Sequence, residues 1–419
     1  MKLISRRAAI ILAGSALALA GNILPADAAT TGWRVEAKVA IRGSENVLFS
    51  VAAVSPSDAW AAGFSAKGTG SPPQRTVIRH WTGKTWRPVT LPAPIATALA
   101  KRGSIDAQLG VASARNVWFF GGIQGGYLRL NGGRWRLGWL PGGGPKAAKF
   151  VDIHAVKAFS STDVWAFGER DTLSATQVTA TPYAAHFNGR KWVRVTVPRP
   201  ASGSTAITAV GAVSSGDIWA VESKPTFLGV STSTATLPKV LHWTASTGWQ
   251  VAAQQPPLRA ADQLTSAAVE PNGDVWFGGS AKNRARGTTP LAAAWNGTSW
   301  SVKVLPVRAT STVWQLDAMT PDGAGGIWAL ARVGIGVKER IWHLRGATWS
   351  LVSPAFGKHL WVLEGLALVP RTQSVWAVGG VQVGKLGADG LIAIDGPLPR
   401  RPAPSRPNSQ LTKQSRLDK

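Results

Sequence analysis

The chain has 419 residues, no cysteine, and a formal charge of +25 from 46 basic and 21 acidic side chains. The missing thiols exclude disulfides, a lipid-modified cysteine and thiolate metal sites. The charge favours polyanionic neighbours such as acidic polysaccharide, wall polymer or anionic lipid.

Residues 1–28 read as an export signal. Lys2, Arg6 and Arg7 form a basic start, an apolar run extends from Ala8 to Ala20, and Ala26-Asp27-Ala28 offers a small-x-small cleavage site. Ser5-Arg6-Arg7 fits a twin-arginine address. The apolar run is too short to span a bilayer and no longer one follows. The expectation is a secreted or wall-associated, monomeric protein with no integral membrane segment after cleavage.

Next comes a repeat marked by most of the 21 tryptophans. One series opens an apolar run after a short turn: Trp60, Trp118, Trp165, Trp219, Trp276, Trp328 and Trp376. Their spacing of about 53 residues is the length of a propeller blade. A second series follows glycine-containing turns at Trp86, Trp135, Trp192, Trp249, Trp300 and Trp349. Its seventh member is Trp33, at the other end of the chain. The segment around Trp33 is therefore expected to complete the last blade, which would remove an exposed sheet edge.

Each repeat reads as four strands, with period-two alternation bounded by Gly, Asn and Pro. Strand a is small and apolar (Val51 to Val54, Ala209 to Val213, Gly365 to Val369), and strand b opens on the first tryptophan. Strand c alternates, as in Val77-Ile78-Arg79-His80-Trp81, and strand d opens on the second tryptophan. No segment after the signal has helical periodicity. The expected fold is an all-β, seven-bladed propeller of four-stranded antiparallel blades over residues 29–396. Residues 397–419, proline-rich and basic, read as a disordered tail.

The glycine pairs after strand b (Gly121-Gly122, Gly278-Gly279, Gly379-Gly380), with an aromatic on strand c and a tryptophan on strand d, resemble kelch repeats. The Gly-x-x-Trp turns are similar to the Asp-box turns of sialidase-like propellers, although their aspartate is mostly missing. This resemblance implies a propeller and no particular activity. The copper-radical oxidase chemistry found among kelch-like propellers needs a cysteine-linked tyrosine, which this chain cannot make.

The b–c and d–a connections are long and share one face, where binding is expected over the central channel. Lys67, Arg75, Lys146, Lys149, Lys282, Arg284 and Arg286 are its candidate anion ligands. Trp139, Trp314 and Trp361 fall outside the repeat series and are candidate sugar-stacking platforms. Asp106, Asp152, Asp262, Asp317 and Glu364 lie at or before strand a and are candidates for a partial carboxylate ring at the channel mouth. Asp58, Asp163, Asp217 and Asp274 recur in the a–b turn and read as turn-setting.

No His-x-x-x-His or other metal spacing is present, and His154 and His359 have no evident partner in sequence. No metal, cofactor or specific nucleic-acid site is expected. The reading is a non-catalytic binding propeller for an anionic glycan, wall polymer or protein partner. A polysaccharide lyase or glycoside hydrolase with carboxylates at the channel mouth is the alternative, and a structural surface protein the third possibility.

Overall fold

The computed structural model describes residues 32–67, 74–100, 107–121, 125–144, 149–173, 178–198, 204–224, 237–283, 287–307, 314–333, 340–354, 356–383 and 387–397. The expected export signal and nearly all of the expected tail lie outside them.

Seven four-stranded antiparallel sheets follow one another around a closed ring. Strand β1 (Arg34–Val39) comes first and belongs to the last blade. Blade 1 is β2 (Glu45–Ser55), β3 (Asp58–Ala66), β4 (Gln74–Trp81) and β5 (Trp86–Pro88). Blade 2 is β6 (Gln108–Ser113), β7 (Asn116–Phe120), β8 (Gly126–Asn131) and β9 (Arg134–Trp139). Blade 3 is β10 (Lys149–Ser160), β11 (Asp163–Leu173), β12 (Val178–Phe187) and β13 (Trp192–Val195). Blade 4 is β14 (Ala206–Ser214), β15 (Asp217–Ser223), β16 (Lys239–Thr244) and β17 (Gly248–Val251). Blade 5 is β18 (Gln263–Val269), β19 (Val275–Lys282), β20 (Thr288–Trp295) and β21 (Trp300–Val304). Blade 6 is β22 (Trp314–Pro321), β23 (Ile327–Val333), β24 (Arg340–Arg345) and β25 (Thr348–Val352). Blade 7 is β26 (Trp361–Leu368), β27 (Val375–Val383) and β28 (Gly387–Asp395), completed by β1 through pairs such as Arg34 with Ile394 and Lys38 with Leu391.

The tryptophans hold neighbouring blades together. Each strand-b tryptophan meets a tryptophan of the next blade: Trp60 with Trp135, Trp118 with Trp192, Trp165 with Trp243, Trp219 with Trp295 and Trp276 with Trp349. Trp328 meets Trp33 with centroids 5.3 Å apart, and Trp376 meets Trp86 at 5.0 Å. The last two contacts cross the closure between the chain ends. Aromatic pairs of this kind add about 0.5–1.5 kcal/mol each beyond the area they bury.

Strand b also presents a polar device to the short-turn face. In four blades its tryptophan stacks on a strand-c histidine, which bonds the turn aspartate. The pairs are His80–Asp58 at 2.9 Å, His186–Asp163 at 2.9 Å, His242–Asp217 at 2.8 Å and His343–Asp322 at 2.8 Å. The stacks run from 3.7 Å for Trp328–His343 to 4.4 Å for Trp165–His186. In blade 2 Arg129 takes the histidine's place, 4.4 Å over Trp118. In blade 5 the position is Ala294, and Asp274 bonds Asn272 instead.

One helix appears among the described residues, α1 (Ala93–Ala100) in the connection from blade 1 to blade 2. No helix was expected there. Pro92 accepts from the amides of Ile95 and Ala96, fixing the first turn, and alanine continues it. Leu99, the buried residue of α1, plugs the core between the first two blades.

Candidate functional site

Strand a is innermost, and in six blades it slips by one residue at the same height. The slip falls at Phe49, His154, Thr208, Thr265, Asp317 and Glu364. Each of these residues lies three before the strand-a partner of the strand-b tryptophan. A β-bulge leaves its extra residue outside the ladder and re-aims its side chain. Six re-aimed side chains, three of them ionisable, thus recur at one height of the inner strands: Phe49 packs into the blade 1–blade 2 core, and Thr208 and Thr265 bond backbone carbonyls of the next blade.

The opposing strand-b position, three residues after the tryptophan, explains one recurring glycine of the repeat. It is Gly63, Gly168, Gly279 or Gly379 in four of these blades, and a Cβ on any of them would collide with a strand-a carbonyl oxygen. For Gly168 that carbonyl is Asp152's.

Blade 3 builds the richest part of the ring. Asp152 is the register partner of Glu169 across β10 and β11, and His154 is the bulged residue beside them. One ligand atom from each of Asp152, His154 and Glu169 lies within 4.8 Å of the other two. His154 Nε2 is 3.8 Å from Glu169 Oε1. The Ile153 amide donates to Asp152 Oδ1 at 3.0 Å and steadies that carboxylate. Asp171 follows two residues after Glu169 on the same face of β11. Burial, with repulsion from Glu169 and Asp152, pushes its pKa up to about 7, against the pull of His154. Trp165 and Phe167 continue this face into the core shared with blade 4, so the cluster sits at the upper edge of the blade 3–blade 4 seam.

In blades 4 to 7, Asp262, Asp317, Glu364 and Glu222 have partners. Arg332 bridges Asp317 of its own blade and Glu364 of the next, the latter at 2.6 Å. Thr205 donates to Glu222 at 2.7 Å; burial raises the Glu222 pKa against that bond and nearby Lys239. Asp262 accepts from the Arg259 amide at 2.8 Å and sets the turn before β18. These contacts correct the expected cation-holding ring: Asp262, Asp317 and Glu364 are spent on a turn and an arginine. Asp106 lies outside the described residues. Of the four described, Asp152 alone joins a group suited to chemistry.

The tryptophan platforms are also corrected. Trp314 and Trp361 are each 6% exposed. Trp314 packs in the blade 6 core, and Trp361 lies edge-on to Phe356 at 5.1 Å. Neither offers a free ring face, because extra aromatics at the start of strand a fall where two blades meet. Trp139 is half-buried against the blade 1–blade 2 core. Lys67, Arg75 and Lys282 are exposed at the b–c ends of blades 1 and 5. They do not form one patch, since the ring separates those blades. Lys149 opens β10, and Lys146, Arg284 and Arg286 lie outside the described residues, as does the side chain of Lys149.

Sequence reasoning missed the His154–Glu169 association. The available signal was Asp152-x-His154 on one strand: residues two apart share a strand face. Lys157 was also missed. Its equivalents are Ala52, Gly110, Gly211, Ala268, Thr320 and Ala367, so it is the one cation at that level of the inner strand. Burial lowers its pKa. On the opposite, short-turn face, an open hollow of about 520 Å³ is lined by Ser55, Asp58, His80, Ser113 and Arg115. Its Asp58–His80 pair belongs to the repeat described above. Tyr183 offers no activated nucleophile: it donates to the Pro141 carbonyl at 3.0 Å, and burial raises its pKa.

No known protein family and no curated protein matches the sequence. Solved structures do match the fold. An ulvan lyase, described as a new family of polysaccharide lyase, superposes with a TM-score of 0.53 at 10% identity over 85% of this chain and 94% of that one. A protein of unknown function from Dyadobacter fermentans matches at 0.46 and 14% identity, over 87% of this chain and all of that one. A Trypanosoma rangeli sialidase matches at 0.42 and 9% identity, over 85% of this chain and 54% of that one. The first of these shares the propeller fold and is an enzyme. This corrects the expectation of a non-catalytic module: the architecture gives no ground for denying catalysis, and the Asp152–His154–Glu169–Asp171 cluster is the part suited to it.

Proposed function

We propose that the protein is an extracellular polysaccharide lyase acting on an acidic, uronate-containing chain at the mouth of the channel. The observation that carries this is the convergence of Asp152, His154 and Glu169 on the long-loop face. Elimination beside a carboxylate requires removal of the proton at C5, breakage of the C4–O4 bond and protonation of the departing O4. One imidazole and three carboxylates at one half-buried place supply groups that accept and return a proton. The charge of +25 supports the acidic substrate, because it draws a polyanion to the surface. The shared fold with an ulvan lyase is compatible with this reading.

The test is incubation of the exported form with a panel of uronate-containing and sulfated polysaccharides. A lyase produces new reducing ends together with the ultraviolet absorbance of an unsaturated uronate. Reducing ends without that absorbance would move the reading to a hydrolase. Activity that survives loss of both His154 and Glu169 would place the site elsewhere. Cleavage of no member of the panel would overturn the enzymatic reading.

A further inference from the structure

Glu169 carries an unusual burden for a carboxylate. It is 8% exposed, and its Oε2 is enclosed with no hydrogen-bond partner. Leaving a buried charged oxygen unpaired is costly, about 1–3 kcal/mol or more. Four carboxylates of blades 4 to 7 show the ordinary solutions: Arg332 for Asp317 and Glu364, a hydroxyl for Glu222, a backbone amide for Asp262. What faces Glu169 is a second carboxylate and an imidazole nitrogen, the donor types that bind divalent metals.

We propose that Asp152, His154 and Glu169 form a binding site for one divalent cation of the zinc type. The backbone fixes the geometry. Asp152 and Glu169 are held opposite each other by the β10–β11 ladder, and the bulge brings His154 in beside them. Ligand atoms of a tetrahedral zinc site lie roughly 3.3 Å apart, as bonds of about 2.0–2.1 Å require. The 3.8 Å between His154 Nε2 and Glu169 Oε1 needs only a small side-chain adjustment. An imidazole ligand favours zinc or a neighbouring transition metal over calcium and magnesium, which prefer all-oxygen shells. Three protein ligands leave at least one position open, the arrangement of catalytic rather than structural zinc. A uronate carboxylate of the substrate could take that position. The metal site rests on the three side chains, and only its use on a substrate rests on the lyase reading.

The test is titration of chelator-stripped full-length protein with Zn2+, Mn2+ and Ca2+, read by calorimetry and thermal shift. Zn2+ is expected to bind one per chain, to raise Tm with concentration and to outcompete Ca2+. Glu169→Gln and His154→Ala should each weaken Zn2+ binding at least tenfold, whereas Asp317→Asn should not change it. With Co2+ as the probe, a visible absorption band should appear and be lost in His154→Ala, a readout that mere misfolding is separated from by an unchanged circular dichroism spectrum. Absence of saturable binding, or binding untouched by Glu169→Gln, would overturn the site. No polysaccharide enters these measurements. An inactive protein that binds one ion therefore refutes the lyase alone, and an active protein that binds none refutes the metal alone.

Discussion

A histidine under a tryptophan and bonded to a turn aspartate is a self-contained device, and its value depends on burial. His343 and Asp322 have side chains 5% and 8% exposed, while His242 and Asp217 are 29% and 53% exposed. Removing one partner of a buried pair strands the other, but an exposed one is rescued by water. His343→Ala is therefore expected to cost about 2–3 kcal/mol in chemical denaturation, and His242→Ala under about 1 kcal/mol. Equal costs would show that stacking, common to both, dominates over the hydrogen bond. Near the first of these pairs, Glu270 is 4% exposed, and its Oε1 has no hydrogen-bond partner. Burial, then repulsion from Asp322 and Asp274, raises its pKa from 4.5 to about 7. Because the folded-state value is raised, its protonated form favours folding, and that stability is lost as pH rises from about 4.5 through 7. Glu270→Gln should raise Tm by roughly 2–4 °C at pH 8 and leave it unchanged at pH 4. A uniform shift at both pH values would contradict the cause given.

At the scale of the strand, the bulge and the glycine opposite it act as one unit. The strand-a carbonyl at the slip occupies the space that a strand-b side chain would need. Gly168→Ala is expected to displace the Asp152 backbone and cost about 1–3 kcal/mol through overpacking. It should also weaken Zn2+ binding, since Asp152 moves with its carbonyl. Unchanged binding with lowered stability would separate the ladder from the site. The glycine pairs were readable in the sequence as a repeat feature. The cause of the glycine three after the tryptophan was not, because a bulge on strand a leaves no single residue signature: Phe49, His154, Thr208, Thr265, Asp317 and Glu364 share a backbone position but range from aromatic to hydroxyl to ionisable. Asp317 and Glu364 were singled out as channel-mouth acids, but their equivalence to His154 was hidden. So was Arg332, which turns two candidate ligands into an ion-paired link between blades 6 and 7.

For the whole molecule, closure is the decisive contact. Strand β1 ties blade 7 together across more than 350 residues of chain, and Trp33 completes the blade 6–blade 7 seam against Trp328 and Phe356. Arg34 adds a bond to the Gly396 carbonyl at 2.5 Å. Removing residues 32–39 would bare the β28 edge and empty the Trp33 site, so the shortened protein should aggregate or lose at least about 3–5 kcal/mol. A Trp33→Ala variant keeps the backbone pairing and tests the side chain separately, with a smaller expected loss.

The sequence by itself determined the number of blades, their strand order and the joining of the two ends. Those properties rest on turns and tryptophans recurring at a fixed period, and periodicity is a local quantity. The expectation of binding on the long-loop face also came from loop length, which is local too. Only the tertiary structure decided which charged groups meet. Asp152 and Glu169 are 17 residues apart in sequence and opposite each other in the ladder, whereas Arg332 and Glu364, 32 apart, meet across two blades. It likewise decided that Trp314 and Trp361 are core. A side chain's neighbours across a sheet or a seam follow from register and bulges, and backbone geometry sets these without fixing the residue type.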